Sequence, residues 1–213
     1  MQTFVPFASF EASARALDAK RLGKQRVEVI QIVRALTVPG YAWKSHPAVL
    51  MWKGYEEALG RYGLVMCDVW LELGFGDTCA ATITADLATA GIPHLRTEAE
   101  LAEAGALPPW LFDEAVQQSH QSALVRKDPE FYRQRFPDVR PDIEYVWPVR
   151  SPAVVEREER QRENARKRQE RAEQKILAEL AAAKRRRSAA ARRAARTRAA
   201  NAAAKKRAAG PTG

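Results

Sequence analysis

LDAKRLGKQRVEVIQIVRAL, residues 17–36, is the stretch that decides the fold of this chain. Its apolar positions recur every three or four residues, so the spacing predicts a helix with Leu22, Val29 and Val33 on one face. Four polar or charged side chains share the opposite face: Arg21, Lys24, Glu28 and Gln31. The apolar face predicts packing against a core. The other face is either part of a site, with a carboxylate between cations, or a solvent-exposed surface with weak ion pairs.

Caps and breakers predict the other helices. The first helix is expected to begin near Phe10, where Ser9 can cap it, and to continue to Leu36. A second is expected from Pro47 to Gly74, where the aromatic stripe at helical spacing predicts core and not a base-stacking platform. Four shorter helices follow, capped at residues 77–78, at Thr97, before FDEAVQQSHQSALVRK and at Asp128.

The two ends of this helical region lack a helical pattern. The N-terminal MQTFVPF is uncharged and rich in β-favouring residues, which predicts an extended arm packed on the domain. Residues 136–150 are rich in proline and are expected to be extended. No convincing strand alternation occurs. The fold class predicted is therefore all-α: a compact multi-helix single domain followed by a helical-to-disordered basic tail.

Charge divides the chain. Residues 1–150 hold 16 basic and 19 acidic residues, whereas residues 151–213 hold 19 basic and 7 acidic ones. The division predicts a helical domain over 1–150 and an Ala/Arg/Lys-rich tail over 151–213. Within the tail, residues 151–180 mix both signs and predict a solvated helix, and residues 181–213 predict a disordered or nascently helical polycation.

Several classes of protein are disfavoured. Cys67 and Cys79 have no CxxC partner, and three histidines lack ligand spacing, so neither a zinc ribbon, another metal site nor a cofactor is expected. The N-terminus has no basic region before its apolar residues, and no apolar run is long enough to cross a bilayer. We expect a cytoplasmic, nucleoid-associated monomer that does not bind membranes.

The tail predicts a polyanionic partner. Residues 181–213 hold eleven bases and no acid, with Arg185, Arg186 and Arg187 in one run. Such a segment binds polyanions by releasing counterions, and its partner could be DNA, RNA or an anionic membrane surface. No base-reading motif accompanies it, so the binding expected is sequence-independent.

A second set of candidate site residues comes from the first helix, the loop after it and the predicted helix FDEAVQQSHQSALVRK. Its eleven members are Arg21, Lys24, Glu28, Trp43, Lys44, His46, Ser119, His120, Ser122, Arg126 and Lys127. Ser119, Ser122 and Arg126 fall on one helical stripe with His120 beside it, a combination suited to phosphate oxygens. Each member taken alone also fits an ordinary role, such as a solvated serine or a basic last helical turn.

The runs MQTFVPF, LDxKRLxKQRxE, HPAVxMWxGYExAL, RYG, DT and PPWLxDExxxxSHxSxLxRKDPxxY cover about residues 1–148. In them the sequence resembles the pyrimidine dimer DNA glycosylase family. The resemblance implies a helical repair enzyme that flips a nucleotide in lesion-containing double-stranded DNA and attacks the sugar C1′ with its N-terminal amine. It implies that Glu28 stabilises the cationic sugar and moves protons in a lyase step, so that the enzyme acts as an endonuclease. An α-amine suits this role because its ordinary pKa is about 7.7–8.0.

Two positions depart from the family. Gln2 is too large to favour removal of Met1, so the nucleophile is the amine of Met1, or that of Gln2 if processing occurs. Val27 stands where the family has an arginine, and Arg21, Lys24 or Arg26 can supply that phosphate contact; Gln25 joins them as a candidate. An amine and a carboxylate suit pyrimidine dimers, damaged purines and abasic sites alike. The competing hypothesis is a catalytically inactive, nucleoid-associated protein that binds DNA through its tail.

Overall fold

A computed structural model describes residues 1–149 and 152–208. Contacts divide the chain into two units, Met1–Pro152 and Ala153–Gly213. The described part contains no strand, which confirms the all-α fold class. The division into a helical domain over residues 1–150 and a basic tail over 151–213 stays a prediction. The α-helices are α1 Phe10–Ala16, α2 Ala19–Thr37, α3 Pro47–Leu50, α4 Glu56–Glu72, α5 Cys79–Thr89, α6 Glu98–Glu103, α7 Glu114–Lys127, α8 Pro129–Tyr132 and α9 Pro152–Ala208, with a 3-10 helix at Pro109–Phe112.

The deciding stretch begins its helix later than predicted. One continuous helix from Phe10 to Leu36 is wrong, because Leu17 is extended and Asp18 caps a new helix. The Asp18 carboxylate accepts the Arg21 N–H at 3.0 Å, as an N-cap side chain does. The break lets α2 take its own direction, and that direction sets where Glu28 lies.

The second long helix is also interrupted. α3 ends at Leu50 and α4 begins at Glu56, with Gly54 between them at a φ of 85°. A residue with a Cβ is strained there, whereas glycine is not. The prediction of one helix from Pro47 to Gly74 is wrong for this reason.

The core forms where α2, α4 and α5 meet. Val29, Trp52, Tyr62 and Ile83 are fully buried, which confirms that the aromatic stripe is core. At Gly63 a Cβ would lie 2.6 Å from Val29 Cγ1 and 2.8 Å from Ile83 Cδ1. This glycine therefore serves close helix packing.

The N-terminal arm packs on the helices, as predicted. Phe4 and Val5 are buried, and the two N–H groups donate to side chains of α2 and α7. The arm thereby brings the chain's first residue against α2.

The second unit consists of α9. Spacings of four residues give ion pairs such as Arg160 with Glu156 at 2.7 Å and Lys167 with Glu163 at 2.6 Å. The helix continues to Ala208, where the sequence predicted disorder or nascent helix from residue 181. Alanine, arginine and lysine are good helix formers, and no glycine or proline occurs between Pro152 and Gly210. In the part of the chain that the structure describes, no helix combines the length and apolar character needed to cross a membrane.

Candidate active site

The N-terminal amine meets a buried carboxylate. The Met1 amine nitrogen lies 3.7 Å from Glu28 Oε2, and the Gln2 N–H donates to the same oxygen at 2.7 Å. Glu28 is only 4% exposed. Two elements build this contact, since α2 supplies the carboxylate and the arm supplies the amine. The result is a potential nucleophile held beside a group that can stabilise positive charge.

Polar side chains in the core hold the arm in place. Gln25 Oε1 accepts the Phe4 N–H at 2.8 Å, and Gln25 Nε2 donates to the Gln2 carbonyl at 3.1 Å. The Tyr62 hydroxyl lies 2.8 Å from the Phe4 carbonyl oxygen and 2.9 Å from Gln25 Oε1, so it donates to one of them. The position of the amine is therefore fixed by hydrogen bonds between core side chains and the backbone of the arm, and not by Met1 alone.

Thr3 is held from two further sides. Trp52 Nε1 donates to its hydroxyl at 3.0 Å, and the Tyr145 hydroxyl donates to its carbonyl at 3.0 Å. Tyr145 comes from the extended segment after α8. That segment thus completes the arm's surroundings.

A cationic cleft opens beside Glu28. Lys24 Nζ lies 3.4 Å from Glu28 Oε1, with the Lys24 side chain 70% exposed. The cleft has a volume of about 240 Å³, and the residues that line it are Gln2, Phe4, Lys20, Arg21, Lys24, Gln25, Glu28 and Lys127. Four of these eight are cations, so a domain of net negative charge presents a locally positive surface at the amine. Such a surface suits phosphate oxygens.

His46 lies between two tryptophans near the amine. Its Nδ1 accepts the Ala48 N–H at 3.1 Å and caps α3, so the neutral ring carries its proton on Nε2. Burial lowers the pKa of His46, the positive N-terminal amine lowers it further, and Glu28 opposes both. The ring centroid is 5.9 Å from that of Trp43 and 5.9 Å from that of Trp147, both edge to face. His46 therefore offers a neutral N–H donor.

An aromatic pocket adjoins Met1 on the α2 side. It has a volume of about 230 Å³ and is lined by Met1, Gln31, Tyr41 and Trp43. A third depression, of about 360 Å³, is lined by Met1, Gln2, Ala123, Arg126, Lys127, Tyr145 and Trp147. The first two residues of the chain thus lie among three openings of different chemistry.

Two predicted DNA contacts on α2 are buried instead. Gln25 is 1% exposed and holds the arm, and Arg26 is 9% exposed, paired with Asp77, with its guanidinium 4.2 Å from the Trp70 ring centroid. Gln25 lines the cleft, but its amide is bonded to the arm, and Arg26 is not among the residues that line the cleft. Arg21 also lines it, but it pairs with Asp18 and donates to the Lys127 carbonyl at 2.9 Å.

The polar stripe of α7 also faces inward. Ser119, His120 and Ser122 are fully buried, which does not fit the predicted phosphate contacts. Ser119 Oγ accepts the Val146 N–H at 3.0 Å, and His120 Nδ1 accepts the Val5 N–H at 2.9 Å. These side chains satisfy backbone groups of extended segments that have no strand partners.

The two basic residues at the end of α7, Arg126 and Lys127, have different roles. Arg126 donates to the carbonyls of Pro141 and Ile143 at 2.6 and 2.8 Å, and it also lines the third depression. Lys127 belongs to both that depression and the cationic cleft. Arg185, Arg186 and Arg187 are exposed on α9 in the second unit, at consecutive positions that point in different directions.

Sequence reasoning assigned no site role to Lys20, Tyr41, Tyr145 or Trp147, which line the three openings. Tyr145 and Trp147 could have been found from the sequence, because large aromatic side chains in an extended segment indicate that the segment packs on the domain. In the described residues, no group of three or more histidine, cysteine or acidic side chains is arranged to hold a metal ion.

A known protein family matches the first part of the chain. Residues 1–83 match the family model of pyrimidine dimer DNA glycosylases. The matched range contains the arm, α2 with Glu28, and His46. No curated protein and no solved structure gives a significant match. Over residues 1–83 the chain is therefore similar to the pyrimidine dimer DNA glycosylases, which supports the resemblance seen in the sequence.

Proposed function

We propose that this protein is a pyrimidine dimer glycosylase with abasic-site lyase activity that works through a Schiff base on its N-terminal amine. The observation that carries the proposal is the Met1 amine nitrogen 3.7 Å from the buried Glu28 carboxylate. An N-terminal amine without a function would not require an arm fixed by core side chains or a buried carboxylate beside it. The pair supplies a nucleophile and an electrostatic partner for a cation.

In the glycosylase step, the amine lone pair forms a bond to C1′ as the bond between C1′ and the pyrimidine nitrogen breaks. The departing base keeps that electron pair and takes a proton from the new ammonium. The sugar ring then opens at the bond between C1′ and O4′, with a proton passing from solvent to O4′ through Glu28. The product is a protonated imine, whose positive charge Glu28 stabilises.

In the lyase step, the imine makes the hydrogens on C2′ acidic. A base removes one of them, the electron pair forms a C1′–C2′ enamine that rearranges, and the bond from C3′ to its phosphate oxygen breaks. We assign this step to Glu28, whose carboxylate can accept the proton. Hydrolysis of the imine frees the amine for another turnover.

The surrounding side chains bind the substrate. Lys20, Lys24 and Lys127 in the cationic cleft contact phosphates on either side of the lesion, and His46 Nε2–H donates to a sugar or phosphate oxygen. The basic part of α9 adds sequence-independent attraction to DNA. Our proposal is that the protein acts on the nucleoid as a monomer.

The test is borohydride trapping of the full chain on duplexes that contain a cyclobutane dimer or an abasic site. We expect a covalent adduct that peptide mapping assigns to the N-terminal residue. Glu28→Gln keeps an oxygen for the Gln2 N–H and is expected to lose strand cleavage. The matched control is Glu72→Gln, an exposed glutamate paired with Arg15, which is expected to behave like the wild type.

Two outcomes would oppose the proposal. An adduct on an internal lysine would assign the nucleophile elsewhere. No adduct on either duplex, with DNA binding that disappears when residues 151–213 are removed, would favour the inactive DNA-binding protein.

A further inference from the structure

Three large aliphatic side chains lie in solvent near the centre of α9. Ile176, Leu177 and Leu180 are 57%, 65% and 62% exposed. The other residues between 156 and 208 are alanine or polar. A polyanion would pair with the cations of this helix, but it would leave the three aliphatic side chains in water. Clustered exposed apolar side chains mark interaction sites, so α9 requires a partner that offers an apolar surface as well as charges.

Two of these side chains belong to a longer stripe of α9 residues, which we call the central stripe. Its six members are three, four, three, four and three residues apart, which is the spacing of a coiled-coil seam and places them along one side of the helix. All six side chains are exposed. In chain order they are Glu170, Glu173, Leu177, Leu180, Lys184 and Arg187. The order of chemical types is therefore acid, acid, leucine, leucine, base, base.

The central stripe is complementary to itself when its direction is reversed. Its members are spaced symmetrically about the midpoint between the two leucines, so a second copy of α9 can lie antiparallel to the first. The facing pairs are then Leu177 with Leu180, Glu173 with Lys184 and Glu170 with Arg187. Each contact occurs twice, as two-fold symmetry requires. In a parallel pair every residue would face its own counterpart, and like charges would meet at four of the six positions.

The charges of the central stripe remain available to a second copy. No acid lies within four residues of Lys184 or of the arginines that follow it, so these cations have no acidic partner within a turn of their own helix. Arg166 lies 3.5 Å from Glu170, and Gln169 donates to Glu173 at 3.3 Å. Contacts of this kind between exposed side chains are weak. Both carboxylates can therefore exchange them for cations of another helix.

We propose that two copies of this protein associate through the central stripe, as an antiparallel pair of α9 helices. The leucine layers exclude water at the centre of the pair, and the ion pairs on either side set its direction and register. This association does not depend on the proposed catalytic function, and it concerns the protein free of DNA. Because DNA phosphates compete for Lys184 and Arg187, binding to DNA returns the protein to a monomer.

Sedimentation velocity of the full chain over a concentration series tests the association. We expect the average mass to rise from the 23.8 kDa of one chain towards twice that mass. Leu180→Gln keeps a good helix former but removes an aliphatic side chain that is buried twice in the dimer, so the dimer Kd should rise by at least about tenfold. The control is Ala178→Gln, which lies away from the central stripe and should leave the Kd within about twofold of the wild type.

Two outcomes of that experiment would overturn the inference. One is a mass of 23.8 kDa at every protein concentration up to about 100 µM. The other is an equal dimer Kd for Leu180→Gln and Ala178→Gln, with circular dichroism showing the same helix content in both variants.

Exchange of charges tests the direction of the pair. Glu173→Lys alone and Lys184→Glu alone each place like charges opposite one another in the antiparallel pair, so each should weaken the dimer. The double variant restores opposite charges at both places and should recover the wild-type Kd. In a parallel pair it would not recover, because residue 173 would face residue 173. A double variant as weak as the single ones would overturn the antiparallel arrangement.

An excess of a short undamaged duplex tests the competition with DNA. We expect the wild type to change from a dimer to one chain on each duplex, and Leu180→Gln to bind the duplex at least as tightly as the wild type. Weaker binding by Leu180→Gln would assign the leucines to a DNA contact and overturn the inference. None of these measurements uses a lesion or a covalent adduct, so their outcome is independent of the proposed function.

Discussion

Gln25→Ala tests whether buried hydrogen bonds of the arm fix the nucleophile. The substitution removes the acceptor of the Phe4 N–H at 2.8 Å and the donor to the Gln2 carbonyl at 3.1 Å. The Tyr62 hydroxyl keeps the Phe4 carbonyl as its acceptor, but the buried Phe4 N–H is left without one. An unsatisfied buried donor costs about 1–3 kcal/mol, and the space left by a side chain that is 1% exposed adds to it. We expect a loss of about 3 kcal/mol in the free energy of unfolding, a large fraction of the roughly 5–15 kcal/mol of a typical domain.

The assay is urea unfolding of the full chain followed by tryptophan fluorescence. All five tryptophans lie between residues 43 and 147, so the signal reports the first unit alone. The control is Gln118→Ala, an exposed glutamine bonded to Glu114, which should change the free energy by less than about 0.5 kcal/mol. Adduct formation by Gln25→Ala, measured where the variant is still folded, should also be slower because the amine is no longer held at Glu28. A loss below about 1 kcal/mol with a normal adduct rate would refute this account of the arm.

Two further predictions concern charge. Burial lowers the pKa of His120 to about 3, so between pH 6.5 and 3 the unfolded chain binds one more proton than the folded one, and the unfolding free energy falls as the pH falls. At pH 4.5 this loss of unfolding free energy reaches up to about 2.7 kcal/mol relative to pH 7.5. Urea titrations of His120→Gln should lack this loss. An equal pH dependence of the unfolding free energy in both proteins would contradict a lowered pKa of His120. Lys24→Gln should leave the Tm unchanged and reduce the slope of log affinity for DNA against log salt by about 0.9, whereas the exposed control Lys53→Gln should not.

Local signals in the sequence were sufficient for much of the secondary structure. The capping box at Thr97 is present with both of its hydrogen bonds, and Asp128 caps a helix that starts with Pro129, as predicted. The break at Leu17 was missed because the apolar period continues across it. The Asp18 carboxylate at that break accepts the hydroxyl of Tyr132, which is 114 residues away. A contact with so distant a residue cannot be read from the sequence around Asp18.

The site residues that could be predicted from the sequence are those that share one face of a single helix. The face of α2 that carries Lys24 and Glu28 follows from helical spacing, and the family resemblance supplied the amine. The polar residues that face inward were assigned to DNA because a sequence does not reveal which unpaired backbone groups they serve. Arg26 illustrates this, since Asp77 and Trp70, which bury it, come from other parts of the chain.

The inward-facing polar residues and the use of an N-terminal amine have a common cause. A chain terminus is normally the part most prone to fray, and it has no neighbouring strand or helix to satisfy its backbone. An amine that must stay near Glu28 therefore needs side chains in the core that bond to the arm's own N–H and carbonyl groups. Gln25, Tyr62 and His120 do this from three different helices. Their buried polarity follows from placing the reacting group on the first residue, so substitutions at these residues should impair adduct formation although none of them touches the amine.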